Sequence, residues 1–136
     1  MTNLLDPNVD SRLDSTRIIL TGHYALLLYE ELPPISRTAF ADVLAVGTIQ
    51  AQSEALLRLA LHDADFSFVE QNCHRALDQQ DANFRRAGVL ALGHLARLHQ
   101  RVSDATVARL RSLRSDPQLA GAAADALDDI AVFTHP

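Results

Sequence analysis

The residues best suited to chemistry are a histidine–aspartate pair, His62-Asp63, with His23 upstream and Asp104 or Asp125 downstream. Converging on one point, such a set would hold a hard or borderline divalent metal and activate a bound water. The local sequence argues against it, because His62-Asp63-Ala64-Asp65-Phe66 reads as a turn between two helices, where aspartate is a common cap. His94 and His99 stand five positions apart, about 140° around a helix, which is too far to share a metal. Cys73-His74 offers a thiol beside a base. Adjacent residues on a helix diverge by about 100°, however, and Cys73 falls in the stripe Val69, Cys73, Leu77, the place of a small buried hydrophobe. Arg97, Arg101, Arg109, Arg111 and Arg114 make a basic stretch, but no aromatic residue lies from Arg85 to Val132 on which a base could stack. That stretch reads as a solvated surface with ion pairs to acidic neighbours. A Gly-rich phosphate loop, HExxH and Gly-x-Ser-x-Gly are all missing. No catalytic residue, metal or cofactor is expected.

The elements that would position these residues are helical. The chain has 136 residues, 48 % of them apolar, with 5 Gly and 5 Pro, so a turn-rich sandwich is disfavoured. All 12 basic residues are arginine; there is no lysine. One cysteine rules out an internal disulfide framework. Residues 1–14 read as a flexible acidic tail, without the basic and apolar regions of a secretory signal. The longest apolar run, Ile18 to Tyr29, is too short for a bilayer helix of roughly 20 residues, so a soluble, cytoplasmic protein is expected. Ser15 or Asp14 caps an expected helix over 16–32, with a buried strand at its start left open, and Pro33-Pro34 ends it. Ser36 caps a short helix that Gly47 breaks. Helices follow over 49–62 (Ala55, Leu56, Leu59 and Ala60 on one face), over 66–77 behind Asp65, and over 82–99. Ser103 or Asp104 caps a shorter one carrying Val107, Leu110 and Leu113, and Ser115-Asp116-Pro117 opens the last, running through Leu119 to Phe133. Residues 15–136 thus form a single all-α domain.

Sliding the chain by 35 residues lays Asp81 on Asp116. Phe84 then meets Leu119, Ala87 meets Ala122, Ala91 meets Ala126, Leu92 meets Leu127, Leu95 meets Ile130, Ala96 meets Ala131 and Leu98 meets Phe133; only Leu90, on Asp125, breaks the pattern. A weaker copy begins near Gln50. A helix–turn–helix unit of this kind cannot bury its apolar face alone, and stacked copies form an α-solenoid. The segment Asp81-Ala-Asn-Phe-Arg-Arg-Ala-Gly-Val-Leu-Ala-Leu-Gly-His-Leu resembles a HEAT repeat, and Asp116-Pro117 resembles its turn. Ala120 and Asp128 depart from the pattern, as suits a terminal capping repeat. The fold implied is all-α: a short right-handed HEAT-like solenoid over about 50–134, with a helical N-terminal extension.

The stretches 91–99 and 124–133 also resemble small bacterial HEAT-like proteins, several of which are immunity proteins of contact-dependent growth-inhibition (CDI) or polymorphic toxin systems. That resemblance implies a non-enzymatic cytoplasmic protein, a monomer pairing with a cognate toxin domain. The toxin would be a nuclease, blocked at its active site or substrate groove, with no direct contact to nucleic acid or membrane. An acidic protein suits a cleft made for phosphates. The residues expected to bind the partner are Asp63, Asp65, Glu70, His74 and Asp78. Two other readings are a HEAT-like adaptor unrelated to toxins and a metal-dependent phosphohydrolase of the HD type. The net charge of −5 lies wholly in residues 1–68, with 9 acids and 4 arginines; residues 69–136 hold 8 of each. Within the second half, 81–116 has 3 acids against 7 arginines, and 117–136 has 3 acids and no arginine.

Overall fold

The computed structural model describes residues 32–134. The chain divides between Leu32 and Pro33, and the architecture below is that of the second unit. The expected tail at 1–14, the helix over 16–32 and His23 lie outside the described residues. Six α-helices follow one another: α1 Arg37–Val46, α2 Ile49–His62, α3 Phe66–Leu77, α4 Ala82–His99, α5 Asp104–Ser112 and α6 Ala120–Phe133. A 3-10 turn, Leu113–Ser115, joins the last two, so Leu113 stands just past the end of α5 rather than inside it. There is no strand among the described residues.

Each start has a local cause. The side chains of Ser36, Thr48, Asp65, Asp81 and Ser103 accept hydrogen bonds from first-turn amides of α1 to α5, satisfying donors that the helix itself leaves unpaired. The 35-residue offset is visible in this capping. Asp81 Oδ1 accepts from the amides of Asn83 (2.8 Å) and Phe84 (3.1 Å), and Asp116 Oδ1 accepts from those of Gln118 (2.8 Å) and Leu119 (3.3 Å). The second aspartate caps a turn before α6, so that helix starts at Ala120 and not, as expected, directly after Ser115-Asp116-Pro117.

The helices stack as pairs in two rows. α4 is the hub, packed against α2 on one side, α6 on the other and its own partner α3. α1 lies on α2 and α5 on α6. The inner row α2–α4–α6 holds most of the core: Leu56, Leu59, Leu92 and Leu95 are fully buried. The outer row α1, α3 and α5 is tied together by side chains instead. This is the solenoid-like arrangement of an all-α chain.

Three repeat pairs keep their burial, while Ala122 and Leu127 are only half-buried where Ala87 and Leu92 are buried. Phe84 and Leu119 are both buried, as are Ala91 and Ala126, and Leu95 and Ile130. Ala131 is exposed where its counterpart Ala96 is buried, because α6 has no further described helix against its outer face. Leu98, expected among the core positions, is 44 % exposed at the end of α4.

Close approach of the rows depends on Gly88. A Cβ there would lie 3.1 Å from the Ala76 Cβ, 3.1 Å from the Cys73 carbonyl oxygen and 3.3 Å from Leu77 Cδ2. Gly88→Ala is expected to destabilise by about 1–3 kcal/mol, since a backbone carbonyl cannot step aside and the helix-propensity gain is only about 1 kcal/mol. At Gly93 the near atom is the carboxylate tip of Asp129, at 3.1 Å, which can rotate away. Gly93→Ala should therefore be neutral or stabilising. Urea unfolding of the two variants checks the contrast, and equal losses would contradict it.

Candidate functional site

The expected partner-binding residues all sit on or beside α3, and the structure sorts them into two groups. Asp63 and Asp65 lie in the turn between α2 and α3, and both are bound to Arg37 at the start of α1. Arg37 Nε and Nη2 donate to the two oxygens of Asp63 at 3.0 and 2.9 Å, and Nη2 reaches Asp65 Oδ2 at 3.4 Å. The Arg37 hydrogen bonds hold the Asp63 carboxyl below the usual carboxylate range against the opposing effect of burial. The guanidinium also lies over the Phe68 ring, 4.0 Å from its centroid. His62-Asp63 thus ends α2 in a turn, with Asp63 engaged in an ion pair. Among the described residues no three His, Cys, Asp or Glu side chains come together as metal ligands would.

Glu70 and His74 on successive turns of α3 and Asp78 just past its end line one open groove of about 410 Å³ between α3 and α5, with Gln71, Arg75, Ser103 and Ala105. Its floor is a hydrogen-bonded chain. The hydroxyl of Thr106, which is fully buried, donates to Glu70 Oε2 at 2.6 Å, and the Ser103 amide donates to the same oxygen at 2.9 Å. Because the Thr106 proton goes to Glu70, His74 Nε2, 2.8 Å from that hydroxyl, must be the donor in its bond. A neutral His74 then carries its proton on Nε2 and leaves Nδ1 as an acceptor. Burial raises the Glu70 pKa, but the Thr106 and Ser103 hydrogen bonds outweigh it and keep the carboxyl below its ordinary value. His74 is held low by burial first and by Arg109 second. Asp78 pairs with Arg109, whose other nitrogen reaches the His74 carbonyl oxygen at 3.4 Å.

All five residues therefore have partners within the chain. Of those partners, Arg109 belongs to the basic stretch expected to pair with acidic neighbours and Ser103 is an expected helix cap, whereas nothing in the sequence marks Arg37 or Thr106. Arg37, Ser103, Thr106 and Arg109 are the residues that tie the outer row together, α1 to the turn before α3 and α3 to α5. Asp65 and Asp78 keep exposed edges, with side chains 49 % and 62 % exposed, whereas Asp63 is 14 % exposed.

The chemistry-bearing residues outside the groove are packed. Cys73 is fully buried and its thiol is pushed up by desolvation, so it stays protonated at neutral pH. His94 is buried against Arg97, and His99 meets the edge of Phe66. Of the arginine stretch, Arg109 is ion-paired and Arg101 lies over Phe66. The aromatic partner of Arg101 lies outside 85–132, on α3.

Thr106→Val removes the donor to Glu70 and the acceptor for His74 while nearly preserving shape. A loss of about 1–3 kcal/mol is expected, because a partly buried carboxylate is left short of a hydrogen bond. The depressed Glu70 pKa means this contribution is present above the unfolded value and is lost as pH falls through the folded one. Denaturation of wild type and Thr106→Val should therefore differ at pH 7 and converge in acid; a constant difference would contradict the Glu70 role.

No protein-family model and no curated protein matches the chain. Among solved structures, a protein in the crystal structure of a CDI complex from Cupriavidus taiwanensis LMG 19424 superposes with a TM-score of 0.67 at 30 % sequence identity. The match covers 77 % of this chain and 96 % of that one. The chain belongs to the family of that CDI-complex protein. The resemblance to CDI immunity proteins seen in residues 91–99 and 124–133 thus extends to the fold. No described helix is long and apolar enough to cross a membrane.

Proposed function

We propose that the chain is an immunity protein that binds a cognate bacterial toxin domain, a nuclease, and neutralises it by covering its active site or substrate groove. The likeness to a CDI-complex protein over 96 % of that protein's length carries this reading. The protein acts without catalysis, as the monomeric partner in a one-to-one complex, in the cytoplasm where an incoming toxin would act. Fold alone does not fix function, so the physical support comes from the surface.

The outer row presents a rigid polar face. Asp65 and Asp78 show carboxylate edges at its rim, and Glu70 with His74 forms the floor of the groove between α3 and α5. Because Arg37 and Arg109 fix these carboxylates, they meet a partner already ordered, and less side-chain entropy is lost on binding. Asp63, Asp65, Glu70, His74 and Asp78 are assigned to the interface on this basis, with Asp63 acting by holding Arg37 and Asp65 in place. Steering toward a basic cleft comes from the separated negative charge, including Asp125 and Asp128, exposed on the arginine-free α6.

Co-expression tests the reading. Cells producing the toxin polypeptide encoded beside this gene should survive when this protein is present. Asp65→Asn/Asp78→Asn, which keeps a capping oxygen at the start of α3, should weaken protection while leaving the fold intact. Failure of the wild-type protein to protect would sink the proposal.

A further inference from the structure

The two phenylalanines that open α3 each carry an arginine on one face, and the two pairs differ in one respect. Arg37 lies 4.0 Å from the Phe68 centroid, and its donors are taken up by Asp63 and Asp65. Arg101 lies 4.2 Å from the Phe66 centroid, is exposed, and has no hydrogen-bond or ion-pair partner among the described residues. Its position is nevertheless fixed. Gln100 ends α4 in the left-handed conformation, with φ 58°, and turns the chain so that Arg101 comes over Phe66. His99 meets the same ring edge-on, at 5.6 Å and 66°.

We propose that Arg101, seated on Phe66, is a docking point for a side-chain carboxylate of the bound toxin domain. The inference rests on the toxin-binding reading and names the chemistry of one contact. Arg37 serves as an internal template, since the same stacked guanidinium a short way along α3 is completed by two aspartates. A guanidinium held flat against a ring presents a planar fork that matches a carboxylate in two parallel hydrogen bonds. It is ordered before binding, so little rotamer freedom is lost when the contact forms. Arginine and aromatic residues are also the types enriched at energetically dominant interface positions. Arg75, Arg111 and Arg114 are exposed as well, but no described ring lies under them, and they lack this preorganisation. A stack that merely shields Phe66 from water would stabilise the free protein and leave complex formation unchanged, which separates the two roles.

Calorimetric titration of the adjacently encoded toxin domain into wild type, Arg101→Ala, Arg101→Lys and Phe66→Leu tests this. Arg101→Ala should weaken binding by about 10–100-fold with little change in the melting temperature of the free protein. Arg101→Lys should recover only part of the loss, because an ammonium has no fork, and Phe66→Leu should fall between. A tight wild-type complex with Arg101→Ala within twofold of it overturns this inference and leaves the toxin reading standing. So does a fully active Arg101→Lys. Arg101-dependent binding of a single-stranded oligonucleotide without toxin would replace the carboxylate by a phosphate and overturn it too. No wild-type complex at all overturns the toxin reading, and this contact with it.

Discussion

Leu92→Ala is expected to lower the unfolding free energy by about 2–5 kcal/mol, a loss comparable to much of the stability of a domain this size. Leu92 is fully buried on α4, the helix that packs against α2, α3 and α6 together. Leu98 on the same helix provides the comparison. It is 44 % exposed, and Leu98→Ala should change stability by less than about 0.5 kcal/mol. Chemical denaturation of both variants measures the difference. Similar effects at the two positions would mean that α4 is not the hub of the core.

Acidification from pH 7 to pH 4 should lower stability by about 3 kcal/mol through His94 alone. Burial, helped by the nearby charge of Arg97, pushes the His94 pKa down to about 4 from an ordinary 6.5. The folded protein therefore binds fewer protons than the unfolded chain between these values. The contribution is whole above about pH 6.5 and is lost as pH falls toward 4. Glu70 acts in the same sense at the acid end. Asp129 acts oppositely, because burial and its neighbours Asp125 and Asp128 raise its pKa against the pull of Arg97, so protonating it is favourable in the fold. His94→Gln keeps a polar group and removes the titration. Its stability should depend much less on pH between 6.5 and 4 than that of wild type, and an unchanged slope would show that His94 does not carry the effect.

The helices and the repeat were legible because both rest on local patterns. Ser36, Asp65 and Asp81 sit where capping chemistry puts a helix start, and the spacing of Val69, Cys73 and Leu77 marks a buried face. The 35-residue offset showed which residues repeat. The same offset carries a second signal. In stacked repeats, residues about one repeat apart become neighbours across the interface. Arg109 bonds the backbone of His74 at a separation of 35, Thr106 bonds Glu70 at 36, and Arg86 bonds Gln118 at 32. Applied to the charged residues, the same offset would have paired α3 with α5 and shown Glu70, His74 and Asp78 to be engaged. The Arg37 pairing was harder to read, because 26 residues separate it from Asp63 and the weaker early copy gives no offset to slide along. Arg101 over Phe66 depends on the left-handed turn at Gln100, which no residue type announces.

The most direct measurement is a titration of the purified wild-type protein with the toxin domain encoded beside its gene, followed by the toxin's own nuclease assay. The expected result is a saturable one-to-one complex of submicromolar affinity, weakened by salt, in which nuclease activity is abolished. No complex at micromolar concentrations, or a complex that leaves the toxin fully active, would contradict it.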